Sequence, residues 1–118
     1  MARVLLAGKD WRSRALLRAQ LIEEGIEVEA CETVREALNS LTNLSSLPGL
    51  VIADLFGSEH PSSDLELLAN WAPVVPVWLL LGREIKPDRD PEKLGVERYF
   101  YRPIDMEKWI EQIKKRVG

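Results

Sequence analysis

The sequence predicts an α/β protein with a parallel five-stranded sheet covered by helices on both faces. Three short runs, at residues 4–7, 50–53 and 76–81, are continuously apolar, as is typical of central strands in such a sheet. Segments with helical spacing of apolar residues separate these runs, which favours strand–helix–strand connections. The 118 residues are enough for one hydrophobic core and too few for two, so we expect a single domain over residues 1–118.

A predicted helix follows the first strand and ends near Gly25, a residue suited to a helix C-terminus. Residues 26–30 then alternate between apolar and charged side chains, which indicates an edge strand with one wet face. The positions of this first helix that we expect to face the core are Ala15, Leu16, Ala19 and Ile22.

Thr33 and Glu36 form a capping-box pattern at the start of a second helix, which ends before the Pro-Gly sequence at residues 48–49. The predicted inward residues of this helix are Val34, Leu38, Leu41 and Leu44. A third helix follows the strand at residues 50–53. Its predicted inward residues are Leu65, Leu68 and Trp71.

The segment from residue 82 to residue 95 interrupts the pattern, because it holds two prolines and several charges but few apolar residues. We expect at most a short helix near residues 90–94, so that the fourth helix is shortened or irregular. Residues 98–101 form the fifth strand, and Asp105 caps a last helix. The predicted inward residues of this last helix are Met106, Trp109, Ile110, Ile113 and Val117.

The second and fifth strands are half polar and therefore belong at the edges of the sheet. With right-handed crossovers, this predicts the strand order 2-1-3-4-5 of flavodoxin-like folds. Ligands of such sheets bind at the carboxyl ends of the strands where the order reverses, here between the first and third strands. We therefore expect Gly8, Lys9 and Asp10 to share one crevice with Asp54, which ends the third strand.

Composition excludes several classes of function. The net charge of −3 gives no basic field for nucleic acid. One cysteine and one histidine cannot form an internal disulfide or a typical zinc site. No apolar run is long enough for a membrane span or a signal peptide, so we expect a cytoplasmic protein. Without a Gly-rich phosphate loop or a nucleophile–base pair, we do not expect an enzyme.

Four features in order make the chain resemble the receiver domains of bacterial two-component response regulators over essentially its whole length. They are the strand at residues 4–7, the strand that ends in Asp54, the strand at residues 76–81 and the sequence Tyr-Phe-Tyr-Arg-Pro at residues 99–103. The resemblance implies that Asp54 is at the position of the phosphoacceptor, which receives a phosphoryl group from a sensor kinase. It also implies a cis peptide bond before Pro103.

The chain departs from the receiver pattern at the residues that carry its chemistry. Gly8 and Lys9 replace the two acidic residues that hold Mg²⁺ in receivers, and Leu81 replaces the Ser or Thr that contacts the phosphoryl oxygens. The lysine before the proline is replaced by Arg102, which keeps the charge with a different geometry. Because a lone Asp54 is a poor Mg²⁺ site, we expect no metal or other cofactor.

Fixed cations are expected to neutralise Asp54 instead. Lys9 and Arg102 would form this charge clamp, and Arg83, two residues after the fourth strand, would add a third cation. Asp10 is one residue late for the receiver metal site. A simpler alternative is that Asp54 only caps the turn that follows it.

Three functions remain open at this point. The first is a pseudo-receiver that signals by protein–protein interaction without phosphorylation. The second is a degenerate receiver that is still phosphorylated on Asp54, and the third is a small-anion or cofactor-binding protein on a flavodoxin-like sheet. For the first, we expect a protein partner or a homodimer, or contact with a sensor kinase or output domain. The expected contact residues are Tyr99, at the position of the receivers' aromatic switch residue, Tyr101 and the exposed Trp11.

Overall fold

The computed structural model describes residues 2–42, 46–83 and 90–118, which form a five-stranded parallel sheet with four α-helices. The strands are β1 (Arg3–Gly8), β2 (Glu27–Cys31), β3 (Leu50–Asp54), β4 (Val77–Leu81) and β5 (Arg98–Tyr101). The helices are α1 (Trp11–Glu23), α2 (Val34–Leu41), α3 (Pro61–Trp71) and α4 (Met106–Val117). The strand order β2-β1-β3-β4-β5 confirms the predicted topology.

The burial of the strands follows from their place in the sheet. Every residue of β3 and β4 is buried, whereas β2 and β5 lie at the two edges and keep exposed residues. The continuous apolar runs therefore marked the central strands correctly, because only a strand covered on both faces needs apolar side chains at successive positions.

Two apolar clusters pack on opposite faces of the sheet. On one face, α2 and α3 cover alternate strand residues such as Val51, Ala53 and Leu81. On the other face, α1 and α4 cover their neighbours, such as Ile52 and Leu80. We refer to these as the α2–α3 cluster and the α1–α4 cluster. Because successive side chains of a strand point to opposite faces, each central strand contributes to both clusters.

The predicted inward face of α1 is wrong. Leu17 and Leu21 are the buried residues of this helix, while Leu16 is 50% exposed and Ile22 is also exposed. The adjacent pairs Leu16-Leu17 and Leu21-Ile22 each place one apolar side chain on either of two neighbouring helix faces, so apolar spacing alone fits both faces. The predicted positions Ala15 and Ala19 are exposed as well.

Helices α2 and α4 begin as their capping residues indicate. The Thr33 side chain accepts a hydrogen bond from the Glu36 amide at the start of α2, and Asp105 accepts one from the Lys108 amide at the start of α4. Between β4 and β5, the described residues contain a single 3₁₀ turn, Glu92–Leu94. Leu44 and Pro87 lie outside the described residues.

The lengths and apolar character of the described helices can be compared with what a membrane span requires. None of the helices within residues 2–42, 46–83 and 90–118 combines the length and the apolar character that crossing a bilayer requires.

Candidate functional site

The crevice predicted between β1 and β3 contains a buried carboxylate. Gly8 and Asp54 are register partners at the carboxyl ends of these adjacent strands. Asp54 is only 8% exposed, and it is the one buried charged residue in the described part of the chain. Because burying a carboxylate without partners is costly, the groups that contact Asp54 determine what this site can do.

Arg102 supplies the charge that balances Asp54. This residue directly follows β5, and its Nη2 donates hydrogen bonds to Oδ2 of Asp54 and, over 3.1 Å, to the hydroxyl of Ser13. The guanidinium carbon lies 4.6 Å from the ring centroid of Phe56, within the range of a cation–π contact. Asp10 is a second acidic neighbour, with Oδ2 at 3.8 Å from Nη2.

The other oxygen of Asp54 also has a partner. Oδ1 accepts a hydrogen bond of 3.0 Å from the backbone amide of Phe56, so Asp54 caps the following turn and pairs with Arg102 at the same time. Burial raises the pKa of the Asp54 carboxyl above its ordinary value, although Arg102 and the Phe56 amide act in the opposite direction. Neutralisation of Asp54 by a fixed cation and capping of the following turn, which the sequence analysis offered as alternatives, therefore occur together.

Lys9 does not take part in the expected charge clamp. Its ammonium group forms an ion pair with Glu59 in the loop after β3, and both side chains are exposed. The reason is that Gly8 is the last residue of β1 and the register partner of Asp54, so Lys9 already lies in the loop beyond the strand. The expectation that Lys9 neutralises Asp54 is wrong.

Of two further predicted pocket residues, Arg83 lines the larger cavity beside Asp54 without pairing with it, and Leu81 lies outside both cavities that adjoin Asp54. Arg83 is exposed, and its Nε donates to the backbone carbonyl of Arg102 over 3.2 Å, so it supports the turn around Arg102 rather than Asp54 itself. Leu81 belongs to the α2–α3 cluster and lines neither of the cavities described below, because it points to the face of the sheet opposite Leu80.

Two cavities adjoin Asp54. The larger has a volume of about 510 Å³ and lies between the sheet, α1 and α4, with Gly8, Arg102 and Pro103 in its wall. The smaller, of about 210 Å³, is bordered by Lys9 and by polar residues of the loop after β3 and the start of α2. The peptide bond between Arg102 and Pro103 is cis, as the resemblance implied.

No protein-family model matches the sequence, and no curated protein matches it. Solved structures, in contrast, are similar over nearly the whole chain. The receiver domain of HemR from Leptospira biflexa has a TM-score of 0.81 at 19% identity, covering 100% of this chain and 95% of that one. The fold is that of a response regulator receiver domain.

Other receivers agree with this assignment. A CheY-like receiver domain protein from Methanospirillum hungatei has a TM-score of 0.81 at 16% identity, covering 99% of this chain and 94% of that one. The chemotaxis protein CheY4 of Vibrio cholerae has a TM-score of 0.78 at 20% identity, covering 100% of this chain and 99% of that one. At these identities the likeness establishes the receiver fold and leaves the chemistry to be argued from the residues.

The residues at the receiver metal position do not suit Mg²⁺. Gly8 offers no side chain, and a Cβ built on it would lie 3.2 Å from the Cβ of Asp54, so an acidic side chain here would stand directly beside the carboxylate. Lys9 brings a positive charge, and both Asp54 oxygens already accept hydrogen bonds. Within the described residues, no three His, Cys, Asp or Glu side chains converge as metal ligands would. Mg²⁺ requires several oxygen ligands, which this set does not supply.

The expected contact residues lie on the surface of the receiver fold. Tyr99 and Tyr101 are exposed on β5, with ring centroids 6.1 Å apart in an edge-on arrangement. Trp11 is exposed at the start of α1. β5 is an edge strand that pairs with β4 on one side, so the two tyrosines lie at the border of the sheet.

Sequence reasoning missed several residues of the site. Ser13 and Phe56 contact Arg102, Glu59 pairs with Lys9, and Arg14 donates to the carbonyl of Gly8. No signal in the sequence indicated Arg14, because it shares the helix face of Leu17, whereas the apolar spacing indicated the face of Leu16. The others lie in loops or depend on tertiary packing, where no periodic pattern exists.

Proposed function

We propose that the chain is a receiver-like signalling module that works in the cytoplasm through protein–protein contact and without phosphorylation. The observation that carries this proposal is the ion pair between Arg102 and Asp54. In this arrangement a guanidinium group, rather than a metal ion, neutralises the carboxylate at the end of β3. The charge balance that a receiver obtains from Mg²⁺ is thus built into the chain.

The chemistry of phosphoryl transfer supports the same proposal. A phosphoryl group in transfer carries charge on its oxygens, and bound metal ions normally neutralise that charge. Asp54 has an acidic neighbour in Asp10, but no third acid, His or Cys of the described residues joins them to hold such an ion, and both Asp54 oxygens are hydrogen bonded to protein groups. The hydroxyl that receivers place at the end of their fourth strand is replaced by the buried Leu81. We therefore assign the chain a binding role rather than an enzymatic one.

The contact surface that we propose is the exposed side of β5. Tyr99 and Tyr101 supply aromatic area, which is enriched at protein interfaces. Its occupant would be another protein, such as a sensor kinase or output domain, or a second copy of the chain. Trp11, at the start of α1, is proposed as an additional contact residue.

The phosphorylation part of the proposal is tested by amide NMR. The chain is titrated with Mg²⁺ and then with beryllofluoride, a mimic of an acyl phosphate, and Asp54→Ala serves as the control. We expect no shifts around Asp54 at millimolar Mg²⁺ and none on adding beryllofluoride. Shifts centred on Asp54 and Arg102 that disappear in Asp54→Ala would instead support a degenerate receiver phosphorylated on Asp54.

The contact part is tested separately by sedimentation and by crosslinking in cell extract. Tyr99→Ala combined with Tyr101→Ala should abolish self-association or partner capture, while the matched surface change Leu47→Ala should not. Because all three side chains are exposed, none of these changes should unfold the chain. Contacts that map only to α1 or α2 would contradict the proposed surface.

A further inference from the structure

We propose that the larger cavity beside Asp54 is a binding site for a small carboxylate with an apolar body. The cavity volume of about 510 Å³ falls within the usual range of small-molecule sites, roughly 300–1,000 Å³. This inference concerns a ligand of the chain and is independent of the protein contacts proposed above.

The wall of the cavity is divided into an apolar part and a cationic part. The apolar part comes from the sheet, α1 and the residues around α4, and consists of Leu6, Leu17, Ile52, Leu80, Ile104, Met106 and Trp109. The charged part contains three guanidinium groups, those of Arg14, Arg83 and Arg102, and one carboxylate, that of Asp54. The cavity therefore offers net positive charge on one side and an apolar surface on the other, which suits an amphipathic anion.

Two buried hydrogen-bond donors in this wall have no acceptor among the described residues. They are Nε of Arg102 and the indole Nε1 of Trp109, a residue that is only 2% exposed. Buried donors are nearly always paired in folded proteins, but both nitrogens are covered by protein atoms, so a ligand with acceptor atoms would pair with them only after a side-chain rotation. A carboxylate offers two acceptor oxygens and no donor, which matches this requirement.

The composition of the wall favours a carboxylate over a phosphate. Guanidinium groups bind planar carboxylates well, and, among the described residues, Arg102 and Arg83 have N–H groups besides those used in the bonds described above. A phosphate would bring a larger charge and more oxygens into a space whose remaining wall is apolar, where they would lose hydration without replacement. A monoanion with an aromatic or aliphatic body satisfies both parts of the wall.

The test follows the indole N–H signals of the chain by NMR, with Trp109→Phe used to assign the Trp109 signal. The probes are indole-3-acetate and octanoate, and their neutral counterparts are indole-3-ethanol and octanol. We expect each acid to shift the Trp109 signal in a saturable way and to bind at least about tenfold more tightly than its alcohol. No saturable shift with either acid up to roughly 10 mM would overturn the proposal.

Two variants test whether Arg83 binds the carboxylate group of the ligand. Arg83→Gln should weaken binding of the acids several-fold without changing the binding of the alcohols, because Arg83 is exposed and its loss leaves the core intact. The matched control is Arg18→Gln on the exposed side of α1, which is outside the cavity and should have no effect. Equal affinity for acid and alcohol, or equal loss in both variants, would contradict a built carboxylate site.

Discussion

Arg102 and Asp54 form an ion pair whose two members are unequally buried. The Asp54 side chain is 8% exposed, whereas that of Arg102 is 24% exposed and also contacts Ser13 and Phe56. The pair is therefore asymmetric, because the carboxylate depends on the guanidinium for its charge balance more than the guanidinium depends on the carboxylate.

This asymmetry predicts unequal effects of removing each partner. Arg102→Ala leaves a buried carboxylate unpaired and should lower the free energy of unfolding by about 3 kcal/mol at neutral pH. Asp54→Ala leaves a partly exposed cation that still has Asp10 nearby, so its loss should be smaller. Chemical denaturation of both variants and of the double variant measures the difference. Equal losses in the two single variants would show that burial does not set the balance.

The raised pKa of Asp54 predicts a specific dependence of stability on pH. The folded chain holds the Asp54 proton more tightly than the unfolded chain, whose carboxyl titrates near the ordinary value of about 3.9. The favourable contribution of this group is therefore complete below about pH 3.9 and is lost as the pH rises through the folded-state pKa.

Comparison with Asp54→Asn isolates this contribution from those of other carboxyls. The free energy of unfolding of the wild type minus that of Asp54→Asn should decrease as the pH rises from about 3 to 7. Carbon NMR of the Asp54 carboxyl should give a midpoint above about 3.9. A midpoint below that value would mean that Arg102 outweighs burial, and the difference between the two proteins would then increase with pH.

The sequence predicted the sheet well because its central strands carry a strong pattern. A strand such as β3, buried on both faces, must be apolar at successive residues. Few other elements of that length consist of a continuous apolar run. The charged alternation of β2 similarly required an edge position. Once strand types are known, the handedness of the crossovers leaves few possible orders, so the strand order followed.

Side-chain partners at the site were less predictable. Sequence pattern gives the face of a strand or helix, but Lys9 lies one residue past β1, where its direction depends on the loop that it meets. The pairing of Arg102 with Asp54 could be inferred because both directly adjoin strand ends in one sheet. The larger cavity could not, since it depends on how α1 and α4 pack around Trp109.

Glu97, directly before β5, links β4 to α4 and provides another prediction. Its Oε2 accepts hydrogen bonds from the indole of Trp78 over 2.7 Å and from Nε of Arg116 over 2.8 Å, and its Oε1 accepts one from Nη2 of Arg116 over 2.9 Å. Glu97→Ala leaves the buried Trp78 donor unpaired and should cost about 1–3 kcal/mol of unfolding free energy.

The matched variant Arg116→Ala keeps the bond to Trp78 and removes only an ion pair with an exposed arginine. Its cost should be at most about 1 kcal/mol. Thermal or chemical denaturation of the two variants gives the comparison, with the indole N–H signal of Trp78 in NMR spectra as a local probe. If Arg116→Ala were as destabilising as Glu97→Ala, the ion pair rather than the indole hydrogen bond would be the stabilising contact.

The corrected face of α1 can be tested with two leucines of the same helix. Leu21 is fully buried in the α1–α4 cluster, so Leu21→Ala should lower the free energy of unfolding by about 2–5 kcal/mol. Leu16 is half exposed, and Leu16→Ala should change stability by no more than about 0.5 kcal/mol. Both substitutions give the same residue in a helix interior, so helix propensity cancels and the difference reports burial alone. A larger loss for Leu16→Ala would restore the face that the sequence pattern first indicated.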